Sequence, residues 1–180
     1  MRWLLAAALL CTTLWASPAH AYVYFTRDQL VAAYFPDVDT VESVSFTPDA
    51  AQRAALKERL GYNLPKPTYE ILVGRRGGAV TGYAIVDEQV GQHEPITFAV
   101  LLDAQARVRR IEVMVYREAY GDGVRAASFR DQFTGLGADA TMRVGKEIRI
   151  VSGATISSRA IATGTRRACA LLEAWLGARA

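Results

Sequence analysis

The stretch that most constrains the fold is Ile150-Val151-Ser152-Gly153-Ala154-Thr155-Ile156-Ser157-Ser158, with the apolar pattern that leaves it. Ile156, Ile161, Gly164, Ala168, Leu171 or Leu172, and Trp175 recur at steps of three to five, close to the helical period. A long helix with one buried stripe is expected there, and it needs a broad apolar surface to lie on. Ser152 is a candidate cap for the first turn, and small Gly153 and Ala154 let another group approach the backbone. A helix N-terminus offers free N–H groups and a partial positive charge, which suits a phosphate. The hydroxyls of Thr155, Ser157 and Ser158 crowd the same turn. An ordinary Ser-capped helix accounts for the same residues, so the turn alone leaves both readings open.

The surface for that helix is legible upstream. Tyr69–Val73 and Ala79–Val86 flank Gly74-Arg75-Arg76-Gly77-Gly78, a hairpin signal. Ile96–Leu102 and Val108–Tyr116 flank Asp103-Ala104-Gln105-Ala106, a second hairpin. The later strands are apolar on both faces, as in a sheet covered by helices. Val38, Val41, Val44 and Phe46 predict a strand within 37–46. Thr26-Arg27-Asp28-Gln29 reads as a capping box opening a short helix that Pro36 stops. Thr47-Pro48-Asp49 opens another, with Pro at the first helical position, and Gly61 ends it. A short helix over Val124–Phe133 and a last strand over Ile148–Val151 complete the expectation. The fold class is α+β: one domain over 22–180, a mostly antiparallel sheet with packed helices and a long C-terminal helix.

Composition narrows the chemistry. The chain has 180 residues, of which 51% are hydrophobic and 22% charged, and a net charge of +3. That surplus is too weak to argue for nucleic acid. Arg75-Arg76, Arg109-Arg110 and Arg166-Arg167 read as solvated pairs. Met1–Ala21 reads as a cleavable export signal: Arg2, an apolar run, and Ala19-His20-Ala21 as an A-x-A site. An uncleaved anchor is the alternative. Beyond it stand one cysteine, Cys169, and one histidine, His93, too few for an internal disulfide, a C-x-x-C-H haem site or a Cys/His zinc cage. No metal site and no catalytic residue is assigned, and redox work would fall to an organic cofactor.

Four blocks in order carry a resemblance. They are Val90-Gly91-Gln92-His93-Glu94-Pro95-Ile96, Tyr116-Arg117-Glu118-Ala119-Tyr120-Gly121, Phe129-Arg130-Asp131-Gln132-Phe133, and the turn from Ser152 to Ser158. Together they resemble the FMN-binding domain family, over roughly Arg27 to Trp175. That family includes covalent-flavin subunits of sodium-pumping and Rnf-type NADH complexes and, more similar here, the periplasmic flavin domain of the nitrous-oxide-reductase maturation regulator. The resemblance implies FMN joined by a phosphoester to Thr155, attached by a flavin transferase with FAD as donor. It implies a periplasmic electron-transfer flavoprotein with periplasmic or membrane redox partners, rather than a stand-alone enzyme. Physical chemistry agrees: a Thr hydroxyl without an adjacent base is a poor nucleophile, so the chain is the substrate of attachment. Three residues before Ser152 the family usually has an acid, and here stands Arg149.

The cofactor-binding set expected on this basis is Thr155, Ser152, Gly153, Ala154, Ser157, Ser158, Glu118, Tyr116 and His93. For Glu118 a salt bridge to Arg117 or Arg125 is the structural alternative, for Tyr116 a core aromatic, and for His93 a loop-closing hydrogen bond. Cys169 and Trp175 read as core. Besides the electron carrier stand a non-covalent FMN-binding module that senses for or matures a periplasmic redox enzyme, and a flavin-free structural domain.

Overall fold

The structure, a computed structural model, describes residues 21–179. The proposed signal, apart from Ala21, therefore lies outside the described residues. The chain builds one six-stranded antiparallel sheet in the order β1-β6-β5-β4-β3-β2. In sequence these are β1 (Tyr22–Val23), β2 (Thr40–Phe46), β3 (Tyr69–Arg76), β4 (Ala79–Val90), β5 (Pro95–Asp103) and β6 (Val108–Tyr116). The helices are α1 (Arg27–Tyr34), α2 (Ala50–Leu60), α3 (Ala127–Arg130) and α4 (Thr155–Gly177). No helix among the described residues is long and apolar enough to cross a membrane.

Strand alternation splits the apolar residues between the two faces. Ile71, Val73, Ile85, Phe98, Val100, Ile111 and Val113 join the larger core beneath α2 and α4. Leu72, Ala84, Ala99, Leu101 and Met114 face the other way and are closed by Leu30 and Phe35 of the α1 region. That is why the central strands read as apolar throughout.

α4 supplies much of the helical side of the larger core, with Ile161, Ala168, Cys169, Leu171 and Leu172 fully buried. Trp175 meets Tyr83 edge-on at 6.0 Å between ring centroids. Burial pushes the Cys169 thiol up to about 12. Gly164 lets the helix approach the sheet: a Cβ there would run into Phe98 Cζ and come 3.0 Å from Asp87 Oδ2. Beside it, Arg167 donates to Asp87 Oδ2 from Nη2 at 2.6 Å and from Nε at 3.0 Å. Both side chains are 2% exposed. The sequence reading of Arg166-Arg167 as a solvated pair is corrected here. Arg167 is a core residue, and Arg166 caps the end of α2 through the carbonyls of Arg59 and Leu60.

Other expectations shift by local causes. The capping box at Thr26 forms with Gln29. The second helix is instead capped by Asp49 with Gln52, which leaves Pro48 outside it. The hairpin tip narrows to Gly77-Gly78, because β3 continues to Arg76 and pairs with Ala79. The stretch 122–133 is three short pieces, 3-10 turns Asp122–Arg125 and Asp131–Phe133 around α3, held by an edge-on Phe129–Phe133 pair at 5.4 Å. The last strand does not form. Ile148 makes only a bridge to Val144, and the Arg149 N–H goes to Gln132 Oε1 at 2.8 Å rather than to a neighbouring strand.

Gly164→Ala should destabilise the fold by about 1–3 kcal/mol, the usual cost of overpacking a filled core. Urea unfolding of the variant checks it, and an unchanged midpoint would mean the helix does not seat this closely.

Candidate functional site

The cap of α4 falls two residues past the expected one, at Ala154 rather than Ser152. Gly153 takes a left-handed φ of 75° and turns the chain, and the Ala154 N–H closes that turn on Val151 O at 2.9 Å. The helix then starts at Thr155 with Ala154 in the cap position and no side-chain cap. Ser152, expected to cap, is exposed on the turn with Gly153. Among the described residues the N–H groups of Thr155, Ile156 and Ser157 have no acceptor, whereas that of Ser158 goes to Ala154 O at 2.8 Å. A terminus of this kind, on a 23-residue helix, presents donors and partial positive charge to solvent.

The hydroxyls of this turn differ in what they do. Ser158 Oγ donates to Ala154 O at 2.8 Å and is fully buried. Ser157 Oγ lies 2.9 Å from the Tyr116 hydroxyl. Thr155 is half-buried, and its hydroxyl has no hydrogen-bond partner among the described residues. Of the hydroxyls inside the helix's first turn, this one alone is left for an outside group.

Tyr116 ends β6 and is 1% exposed, so its ring is core, not a stacking platform. Its hydroxyl donates to Tyr120 O at 2.6 Å and also touches Ser157. Burial raises its pKa and the Ser157 contact opposes this, so the phenol keeps its proton to donate. The loop 117–121 is thereby pressed against the first turn of α4. Gly121 is what permits it: its φ is 91°, and a Cβ there would come 2.8 Å from both Ser157 Oγ and Tyr116 OH.

Glu118 forms no ion pair with Arg117 or Arg125. Its Oε1 accepts from the backbone N–H groups of His93 at 2.6 Å and Glu94 at 3.0 Å, which ties the 91–94 loop to the 117–121 loop. Arg117 instead holds Pro95 O and Thr97 Oγ1, and Arg125 stacks on Tyr24 with its guanidinium carbon 3.4 Å from the ring centre. His93 is exposed and engaged through its backbone. The structure thus brings Tyr116, Ala154 and Ser157 into one cluster with Thr155, and joins Glu118 and His93 to it through a neighbouring loop.

Several residues at this end of the molecule take places that the sequence reading did not assign to them. Arg149, where the resemblance leads one to expect an acid, packs its Nε 3.3 Å from Gln132 Oε1. Arg159 follows Thr155 by one helical turn, a spacing that places both on one face and signals their proximity. Tyr120, Ile150 and Ile156 are large apolar side chains left 84%, 45% and 45% exposed around the turn. Ile156 was expected inside the buried stripe.

Partial burial raises the Glu118 pKa, but the N–H groups of Glu94, His93 and Gln92 outweigh it, and the net value falls below the ordinary 4.5. A depressed carboxylate stabilises the fold above the unfolded value, and this contribution is lost as pH falls through the lower folded value. Amide exchange at His93 and Glu94 should therefore accelerate as pH drops below 4.5, after correction for intrinsic rates, and Glu118→Gln should remove that dependence. A profile unchanged by Glu118→Gln would show that the clamp does not form.

Comparison with known proteins adds chemistry to this geometry. Over 119 residues the chain is 26% identical to one subunit of the Na(+)-translocating ferredoxin:NAD(+) oxidoreductase complex of Acetobacterium woodii, covering 61% of this chain and 58% of that protein. The chain thus matches little more than half of that relative's length. Residues 91–170, which contain both loops and the turn into α4, match the family model of the FMN-binding domain. This match assigns residues 91–170 a likeness to the FMN-binding domain and supports FMN as the cofactor.

Proposed function

We propose that this chain is an exported electron-transfer flavoprotein whose FMN is held through a phosphoester on Thr155. The observation that carries the reading is the unpartnered Thr155 hydroxyl beside free N–H groups at the start of α4. Ser157 and Ser158 spend their hydroxyls inside the fold, so the first turn offers one acceptor and a cradle of donors for the phosphate. FMN, once bound, supplies the ability to take up and release electrons. The chain's own part is to hold the phosphate, to shape one side of the site with the 117–121 loop, and to keep the attachment point rigid on α4. Among the described residues no base lies within hydrogen-bond distance of Thr155, in keeping with attachment by a separate flavin transferase. The A. woodii relative belongs to a ferredoxin:NAD(+) oxidoreductase complex, which supports a place in electron transfer with membrane-associated partners. The exposed Tyr120, Ile150 and Ile156 suit a docking partner at the same end.

A second reading, FMN held without a covalent bond in a sensing or maturation module, is favoured by one feature. Arg149 occupies the position where the family usually has an acid, and it is tied to Gln132.

Intact mass of protein exported together with a flavin transferase separates the two. We expect cleavage after Ala21 and a mass increment of one FMN less one water, lost in Thr155→Val while the unfolding free energy stays within about 0.5 kcal/mol of wild type. Flavin that leaves on denaturation selects the second reading. Covalent flavin persisting in Thr155→Val removes Thr155 as the acceptor.

A further inference from the structure

β6 has a neighbouring strand along only one side for most of its length. β5 runs beside it, whereas β1 reaches only Val115 and Tyr116. The carbonyls of the open edge are met by other groups. The Tyr24 and Phe25 N–H groups take Met114 O, Arg130 Nη1 takes Ile111 O at 3.0 Å, and the Gly135 N–H takes Val108 O at 2.8 Å. A guanidinium and loop backbone thus stand where a strand would satisfy the edge, and they leave a hollow beside it. Its volume is about 190 Å³, and Tyr24, Tyr34, Arg110, Glu112, Arg125 and Arg130 line it. Glu112 pairs with Ala99, which faces α1, so the hollow lies on the α1 side of the sheet rather than under α4.

Three guanidiniums meet one carboxylate there. Glu112 is 6% exposed and accepts from the Tyr34 hydroxyl, Arg130 Nη1 and Arg110 Nε. Burial raises its pKa, but these donors outweigh it and the net value falls below the ordinary 4.5, so the carboxylate is charged at neutral pH. Tyr34, pushed up to about 12 by burial and by Glu112, keeps its proton. Glu112 therefore balances one of the three cations and leaves two.

Much of the donor capacity is also unspent. Arg125 makes no hydrogen bond or ion pair among the described residues, and its guanidinium carbon lies 3.4 Å from the Tyr24 ring centre. Arg110 spends Nε on Glu112 and lies 5.5 Å from the Tyr34 ring centre, with no acceptor at either Nη among the described residues. Packing on a ring holds a guanidinium in place without using its N–H groups. Deeper in, Arg130 Nε is buried and has no partner among the described residues. A buried donor without an acceptor is costly, and native structures keep few of them. The group that completes this hollow is an anion with several acceptor oxygens.

We propose that the hollow binds a phosphate group, with Arg110 and Arg125 as an outer fork and Arg130 Nε as the inner donor. The volume is below the range of about 300–1,000 Å³ for whole small-molecule ligands, so the site takes an oxyanion or the charged end of a larger molecule. Guanidinium forks match oxyanion geometry, and two uncompensated positive charges suit a phosphate better than a single carboxylate. The site is separate from the turn at Thr155, and the inference does not rest on the flavoprotein reading.

Arginine Nε–H resonances of the full chain, labelled with 15N and exported with a flavin transferase, read the site directly. Inorganic phosphate added at constant ionic strength should shift the Arg130 and Arg110 Nε–H signals saturably, and acetate should do so far less. Arg125→Gln should weaken the phosphate response at least about fivefold, and Arg125→Lys should recover only part of it, because the charge returns without the fork. Sedimentation with phosphatidylglycerol vesicles, against phosphatidylcholine vesicles, identifies the source. Binding that Arg125→Gln abolishes assigns a lipid headgroup, and phosphate shifts without vesicle binding assign a free phosphate compound. A wild-type Arg130 Nε–H signal that phosphate does not shift saturably overturns the inference. So does a shift that chloride reproduces, one that Arg125→Gln leaves untouched, or one confined to Thr155 and its neighbours.

Discussion

The Arg167–Asp87 ion pair is the contact on which the arrangement around α4 depends. Two opposite charges sit 98% buried between the long helix and β4, joined at 2.6 Å. Desolvating them is expensive, and such a pair is not by itself a source of stability. Its value is geometric. Arg167 can reach Asp87 at one rotation and one height of α4, because losing either partner strands a buried charge at a cost of about 3–5 kcal/mol. Gly164, one turn earlier, requires the same rotation by lying against Phe98. Between them they fix where Thr155, at the start of the same helix, stands against the sheet.

The end of the sheet uses that fixed point. Tyr116 is the last residue of β6, and its hydroxyl joins the 117–121 loop to Ser157 in α4. Glu118 then fastens the 91–94 loop, and Gln132 fastens the stretch before the turn through Arg149. Each clamp is a side chain spent on backbone or on another clamp. Thr155 stands apart because nothing inside the fold uses it. Under the proposed function, that absence of internal partners, beside groups that all have them, is what marks Thr155 as the attachment point.

Much of this was legible in the residues alone. Turn residues and continuous apolar runs marked β3 to β6, since a covered sheet requires apolar residues on both faces, and Val108–Tyr116 emerges with its expected bounds. The 3.6-residue stripe found α4 but misplaced its start, because the left-handed Gly153 adds a turn that local pattern does not encode. The last strand failed for a related reason: a strand needs a neighbouring strand, and the backbone of 149–151 instead meets the Gln132 side chain and its own turn. β1 is two residues long, below any periodic signal. At the site the turn hydroxyls were visible in sequence, but which was free was not, since that depends on Tyr116 across 41 positions. Arg167 was misread because charge predicts exposure until a buried partner eighty residues away is known.

The length of α4 has a further consequence under the proposed function. Its 23 residues extend about 35 Å at the usual rise per residue. The flavin's anchor is at one end, and the Tyr83–Trp175 pair packs near the other. Electron tunnelling through protein decays steeply with distance, so charge does not traverse the helix on a useful timescale. Donor and acceptor must both visit the Thr155 end, in succession or by a swing of the whole domain. The far end is electrically silent, and a tether fixed there would leave the working end free to reach either one.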